Sequence, residues 1–138
     1  MKKSNKKGFT LVELVIVIAV IGILAAVLIP TITSVVSKAE KTTAETEARN
    51  IYAQAISVSN SFDAYCKDHE KDKLETDELQ IGDYIVKLRG KEDFGIGVLD
   101  GAWTIAYITA SGYLVKITSE DVNAPKVEKE DKIPFAAE

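Results

Sequence analysis

The sequence holds one cysteine, one histidine, one tryptophan and three prolines among 138 residues. A single cysteine, Cys66, cannot form an internal disulfide, so the fold must be held by its core. One histidine and one cysteine are too few for a zinc cluster or a histidine-based triad. No metal, no cofactor and no catalytic residue is therefore expected, and scattered carboxylates do not make an enzyme. Basic charge is also scarce. Lys and Arg number 17 against 21 Asp and Glu, a net charge of −4. Four of the lysines, Lys2, Lys3, Lys6 and Lys7, fall in the first eight residues; without them the balance is 13 against 21, or −8. Such an acidic body is a poor partner for a phosphate backbone, and no nucleic-acid contact is expected. The length allows one modest domain with an extension.

What is present is unevenly distributed. Residues 1–8 are short, polar and basic. Residues 9–29 are apolar apart from Thr10 and Glu13. At about 1.5 Å per residue this run reaches roughly 31 Å, the hydrocarbon thickness of a bilayer. Lysines precede it and no charge follows it until Lys38. The positive-inside rule places the N-terminus in the cytoplasm and everything after Pro30 outside.

From Thr31 the pattern becomes amphipathic. Ile32, Val35, Val36, Ala39, Ala44, Ala48, Ile51, Tyr52, Ala55, Ser59 and Phe62 recur at helical spacing between charged residues. This predicts one long helix from about Phe9 to about Tyr65, roughly 85 Å if unbroken. No domain of this size buries such a helix along its whole length, so the first half needs lipid or other subunits.

Residues 67–80 read as a polar loop, after which the period becomes two. Tyr84, Val86 and Leu88 alternate with polar residues, and residues 94–99, 103–109 and 113–118 are short apolar runs. Ala110, Ser111 and Gly112 form a three-residue turn with glycine where positive φ is needed. Residues 119–138 are charged, carry Pro125 and Pro134, and read as loop or edge. The predicted fold class is α+β. A long N-terminal helix, apolar then amphipathic, packs on a small antiparallel sheet of three or four strands. The expected segments are 1–8, 9–30, 31–66 and 67–138.

Other candidate sites have bland readings. Cys66 is either a reactive or intermolecular thiol or a small apolar residue at a helix end. His69 falls in a charged loop and reads as solvated. Gly95 and Gly97 begin a phosphate-loop-like pattern, but Asp100 fills the last position, so they read as a strand irregularity or turn. Asp68, Glu70, Asp72, Glu75, Asp77 and Glu78 lack the spacing of a calcium loop. Trp103 and Tyr107 share a strand face and read as core.

The informative constellation is at the N-terminus: Lys6, Lys7, Gly8, Phe9, Thr10, Leu11, Val12, Glu13 and Leu14, running on to Pro30. A secretory signal has no reason to place Glu13 inside its apolar region, where a charge costs several kcal/mol. This segment resembles the prepilin cleavage and methylation motif of type IV pilins and type II secretion pseudopilins. The likeness rests on the basic leader, Gly8, Phe9, Glu13, the apolar helix and Pro30. It implies removal of the leader by a prepilin peptidase between Gly8 and Phe9. The same enzyme would methylate the Phe9 amine, using its own S-adenosylmethionine. Glu13 would pair with a neighbour's N-terminus during assembly; the alternative is an interfacial acid stabilised by its own helix dipole. Gly22 and Pro30 mark a stretch that can lose helicity in assembled filaments of the family, whereas a lone subunit would keep a continuous, proline-kinked helix.

The resemblance further implies a homo-oligomeric helical filament with other pilins, served by an assembly platform and its ATPase. The subunit would be a single-pass membrane protein before assembly and part of a surface pilus after it. The alternative reading is a minor pilin, a pseudopilin, or an anchored binding module of a secretion or DNA-uptake system. Many family members carry a C-terminal disulfide that this chain cannot form.

Overall fold

The computed structural model describes residues 8–120 and 125–135. Residues 1–7 of the expected leader lie outside the described residues. The chain divides into two compact units, Met1–Lys38 and Ala39–Glu138. Helix α1, Leu11–Ser59, runs from one into the other.

Helix α1 starts where the local chemistry allows it. Thr10 stands just before the first helical residue and Glu13 three residues after Thr10, the reciprocal pattern of a capping box. In the first unit the large apolar side chains of α1 point outward; from Phe9 to Val36 they are 48–93% exposed. No soluble protein spreads so much apolar surface to water without a partner.

The predicted helix to Tyr65 ends earlier. Asn60 takes φ 63° and stops α1 after Ser59. Asn tolerates this left-handed conformation better than most residues. Ser61 then caps a separate short helix, α2, Phe62–His69, its Oγ accepting from the Ala64 amide at 3.1 Å. Tyr52 stacks on Phe62 with ring centroids 4.8 Å apart and holds the two helices together across the break. The periodic apolar positions continue past Asn60 because both helices feed one core, which is why periodicity alone misses the turn.

Six strands follow. β1, Glu78–Ile81, and β2, Tyr84–Lys87, form a two-stranded hairpin around Gly82 and Asp83. β3, Phe94–Leu99, β4, Ala102–Ile108, β5, Leu114–Thr118, and β6, Lys126–Glu128, form an antiparallel sheet in the order β3-β4-β5-β6. The long helix on a small antiparallel sheet is as predicted. The main sheet has four strands, but the run from Tyr84 is not one of them: it pairs with β1 in a separate hairpin, and β6 takes the remaining place in the sheet. Two boundaries move. The predicted loop over 67–80 gives up its ends to α2 and β1, and the tail supplies an edge strand because Val127 alternates with Lys126 and Glu128 and can plug the core.

Asp100 and Gly101, both at positive φ, join β3 to β4 in a two-residue hairpin loop. Gly112 at φ 81° closes the turn from β4 to β5, as the sequence predicts. In the second unit the buried stripe of α1 is Ala44, Ala48, Ile51 and Ala55. These residues share a core with Ile96, Ile105, Tyr107, Val115, Ile117 and Val127 from one sheet face, and with Leu79, Ile81 and Val86 from the hairpin. β4 is buried on both faces, which explains its unbroken apolar run.

Candidate functional site: the head of the apolar helix

The site begins at the start of α1. The Thr10 amide and the Thr10 hydroxyl both donate to Glu13 Oε2, each at 2.9 Å. The Glu13 amide donates back to Thr10 Oγ1 at 3.3 Å. The carboxylate thus satisfies helix-terminal donors and sits where the helix dipole favours an anion. Glu13 is the only charge between Gly8 and Lys38. Its capping by Thr10 was readable as the spacing T-x-x-E. In the single subunit the partner of the Glu13 carboxylate is therefore Thr10, within its own turn.

Gly22 and Pro30 both lie within α1, which continues through them without a break. Pro30 has no amide proton, so the carbonyl of Ala26 loses its helical donor. Side-chain hydroxyls cluster just beyond. Thr31 Oγ1 donates to the Val27 carbonyl at 3.1 Å, Thr33 Oγ1 to Pro30 at 3.0 Å and Ser34 Oγ to Thr31 at 2.9 Å. These bonds partly resolvate the backbone around the proline in a segment that has few other polar groups.

The remaining candidates fall elsewhere. Cys66 is fully buried on α2, and burial pushes its thiol up to about 12, with Asp63 adding to the shift. Such a thiol is held in its unreactive form. His69 is not simply solvated in a loop; it ends α2, its ring stacks on Tyr65 at 4.1 Å, and its Nδ1 lies 2.8 Å from the Tyr65 carbonyl. Tyr107 is buried in the core, as expected, and Trp103 is half-buried and packs against it. A cleft of about 630 Å³ lies beside β3, where Lys71, Lys73 and Lys91 offset Glu70, Asp72 and Glu92. Among the described residues no group of three His, Cys, Asp or Glu could hold a metal ion.

The core contains one polar misfit. The Tyr107 hydroxyl is buried and has no hydrogen-bond partner among the described residues. Burial raises its pKa well above the usual phenol value, and the nearby Glu47 and Tyr84 add to the rise. Glu47 is itself raised by burial. Tyr107→Phe deletes the stranded hydroxyl and should stabilise the second unit by about 1 kcal/mol. A thermal melt should shift upward by roughly 4–8 °C. A downward shift would show that the hydroxyl is bonded in solution.

Helix α1 is long and apolar enough, by length and composition, to cross a membrane. An acid caps the head of this apolar stretch and a helix-on-sheet unit follows it, the layout of a structural subunit with an apolar stem. Comparison with known proteins narrows the class. Residues 3–29 match the family model of the prokaryotic N-terminal methylation motif. The chain is 31% identical over 131 residues to the type IV major fimbrial protein FimA of Dichelobacter nodosus, covering 93% of this chain and 68% of that one. It is 39% identical over 61 residues to the type IV major pilin protein PilA of Myxococcus xanthus, covering 44% of this chain and 28% of that one. Over 38 residues it is 60% identical to the type IV wide pilus major component PilA4 of Thermus thermophilus, covering 28% of this chain and 29% of that one. No solved structure matches. The chain belongs to the type IV pilin family and is a structural subunit of the pilin kind.

Proposed function

We propose that this chain is a prepilin that is cut after Gly8, methylated on the Phe9 amine, and assembled through residues 9–30 into a surface filament with other pilins. The observation that carries the reading is Glu13, a lone acid at the head of a helix whose first half, up to Val36, exposes its large apolar side chains all round. An anchor that only holds a domain in a membrane has no use for an acid at that depth. Cleavage creates a use. The new α-amine, with an ordinary pKa near 7.7–8.0, is a cation. In a filament core both charges leave water, and each must be neutralised by the other.

Gly8 suits the cleavage site because a residue without Cβ lets the backbone lie extended in a protease cleft. The peptidase and methyltransferase act on the cytoplasmic side, where the basic leader stays. Before assembly the subunit is a single-pass membrane protein with its second unit outside. An assembly platform and its ATPase then draw it into the filament. Gly22 and Pro30 bound the stretch most prone to lose helicity there, because its backbone bonding is already incomplete at Pro30.

Mass spectrometry of the mature protein tests the processing. The expected N-terminus is Phe9 carrying one methyl group. An intact Met1, or cleavage beyond Ala26, defeats the proposal.

A further inference from the structure

The outer face of the four-stranded sheet is covered by the last described residues of the chain. Register sets Gly95 opposite Ala106 and Gly97 opposite Thr104, so four small residues make a lane across β3 and β4. A Cβ on Gly97 would come within 2.8 Å of Phe135 Cδ1 and 2.9 Å of Cε1. One on Gly95 would meet Ile133 Cδ1 and Phe135 Cβ at 3.3 Å. Neither glycine needs a positive φ, since such glycines are Gly82, Gly101 and Gly112. Glycine weakens a strand interior, and close approach of another group is the usual compensation. Here that group is an aromatic ring lying against bare backbone, an arrangement that rescues strand glycines. Ile133 and Phe135 pack with Ala106, Ile108 and Leu114 in a second apolar cluster, separate from the helix-facing core.

Polar ties hold the segment that leads to this ring. β6 pairs with the edge of β5. Lys116 Nζ lies 3.3 Å from Glu128 and 3.8 Å from Glu130. Arg89 donates to the Asp131 carbonyl at 2.9 Å and to its carboxylate at 3.3 Å. Asp93 fixes the same guanidinium through two bonds of 2.9 Å.

We propose that residues 129–135 form a noncovalent clasp across the outer sheet face, with Phe135 seated in a slot kept open by Gly95 and Gly97. The strand pairing and charge pairs bring the segment to the face, and the ring locks it there. The clasp closes the second apolar cluster in a chain whose single cysteine offers no covalent closure. It is the part of the fold that opens first, because its upstream ties are exposed ion pairs of small individual worth.

The test is timed trypsin cleavage of the full chain in detergent micelles, following cuts after Lys129 and Lys132 by mass spectrometry. Phe135→Ala and Gly97→Ala should each speed these cuts by roughly ten- to a hundredfold, because cleavage tracks the population of the open clasp. The double variant should be no faster than the faster single one, since both remove the same seat. Unchanged cleavage in Gly97→Ala, or multiplied effects in the double variant, overturns the slot. Should Gly97→Ala fail to fold alone, adding Phe135→Ala must restore folding, because the methyl group then strikes no ring. A double variant that stays unfolded also overturns it.

Discussion

Glu13→Ala should leave cleavage after Gly8 intact and abolish filaments. Under the proposed processing and assembly, the variant leaves the scissile bond itself unaltered, but it strips the Phe9 amine of its partner in the next subunit. An unpaired charge taken out of water costs several kcal/mol, enough to stop each addition. The local effect is much smaller. Losing the cap with Thr10 costs about 1 kcal/mol of helix stability at an exposed end. Glu13→Gln separates the two. Its amide oxygen can still accept from Thr10, yet it carries no charge, so it should fail in assembly as Glu13→Ala does. Electron microscopy of sheared surface material, with mass spectrometry of the membrane fraction, reads both steps. Normal filaments from either variant would remove Glu13 from the assembly role.

Ile51→Ala should cause the largest loss of stability of any single truncation on α1. The buried stripe of that helix is Ala44, Ala48, Ile51 and Ala55, so Ile51 is its only large buried side chain. The alanines let the helix lie close to the sheet, and Ile51 fills what space is left among the strand residues. Truncation leaves a cavity that flanking alanines cannot fill. The expected cost is about 3–4 kcal/mol, and the melting temperature of the second unit should fall by roughly 15–25 °C. A loss under about 1 kcal/mol would show that the helix settles onto the sheet without it.

Much of the fold was legible because it is local. The run over residues 9–29 announces its own length, and the stripe from Ala44 to Ala55 its own face. The turn at Gly112 was readable from glycine's freedom at positive φ. Two local signals went unread although they were present. Asn60 before Ser61 is a helix stop followed by a helix cap, but the apolar period continues across it and hides it. Asp100 and Gly101 are a strong hairpin pair, whereas Gly95 and Gly97 before them lie inside β3. The family motif over residues 3–29 was legible in the same way, since a pattern that depends on spacing along the chain needs no tertiary contact to be recognised.

The amino-acid order alone decided that the first part of α1, up to Ile29, is apolar all round, that one acid interrupts it, and that a helix-facing sheet follows. Each of these rests on neighbours within a turn or a strand. Tertiary structure alone decided that His69 stacks on Tyr65, that the Tyr107 hydroxyl is stranded, and that Phe135 lies on Gly97. The reason is physical. A glycine in a strand or a hydroxyl in an apolar run takes its meaning from what packs against it. For Gly97 that partner stands 38 positions away in the chain, where no periodic pattern reaches.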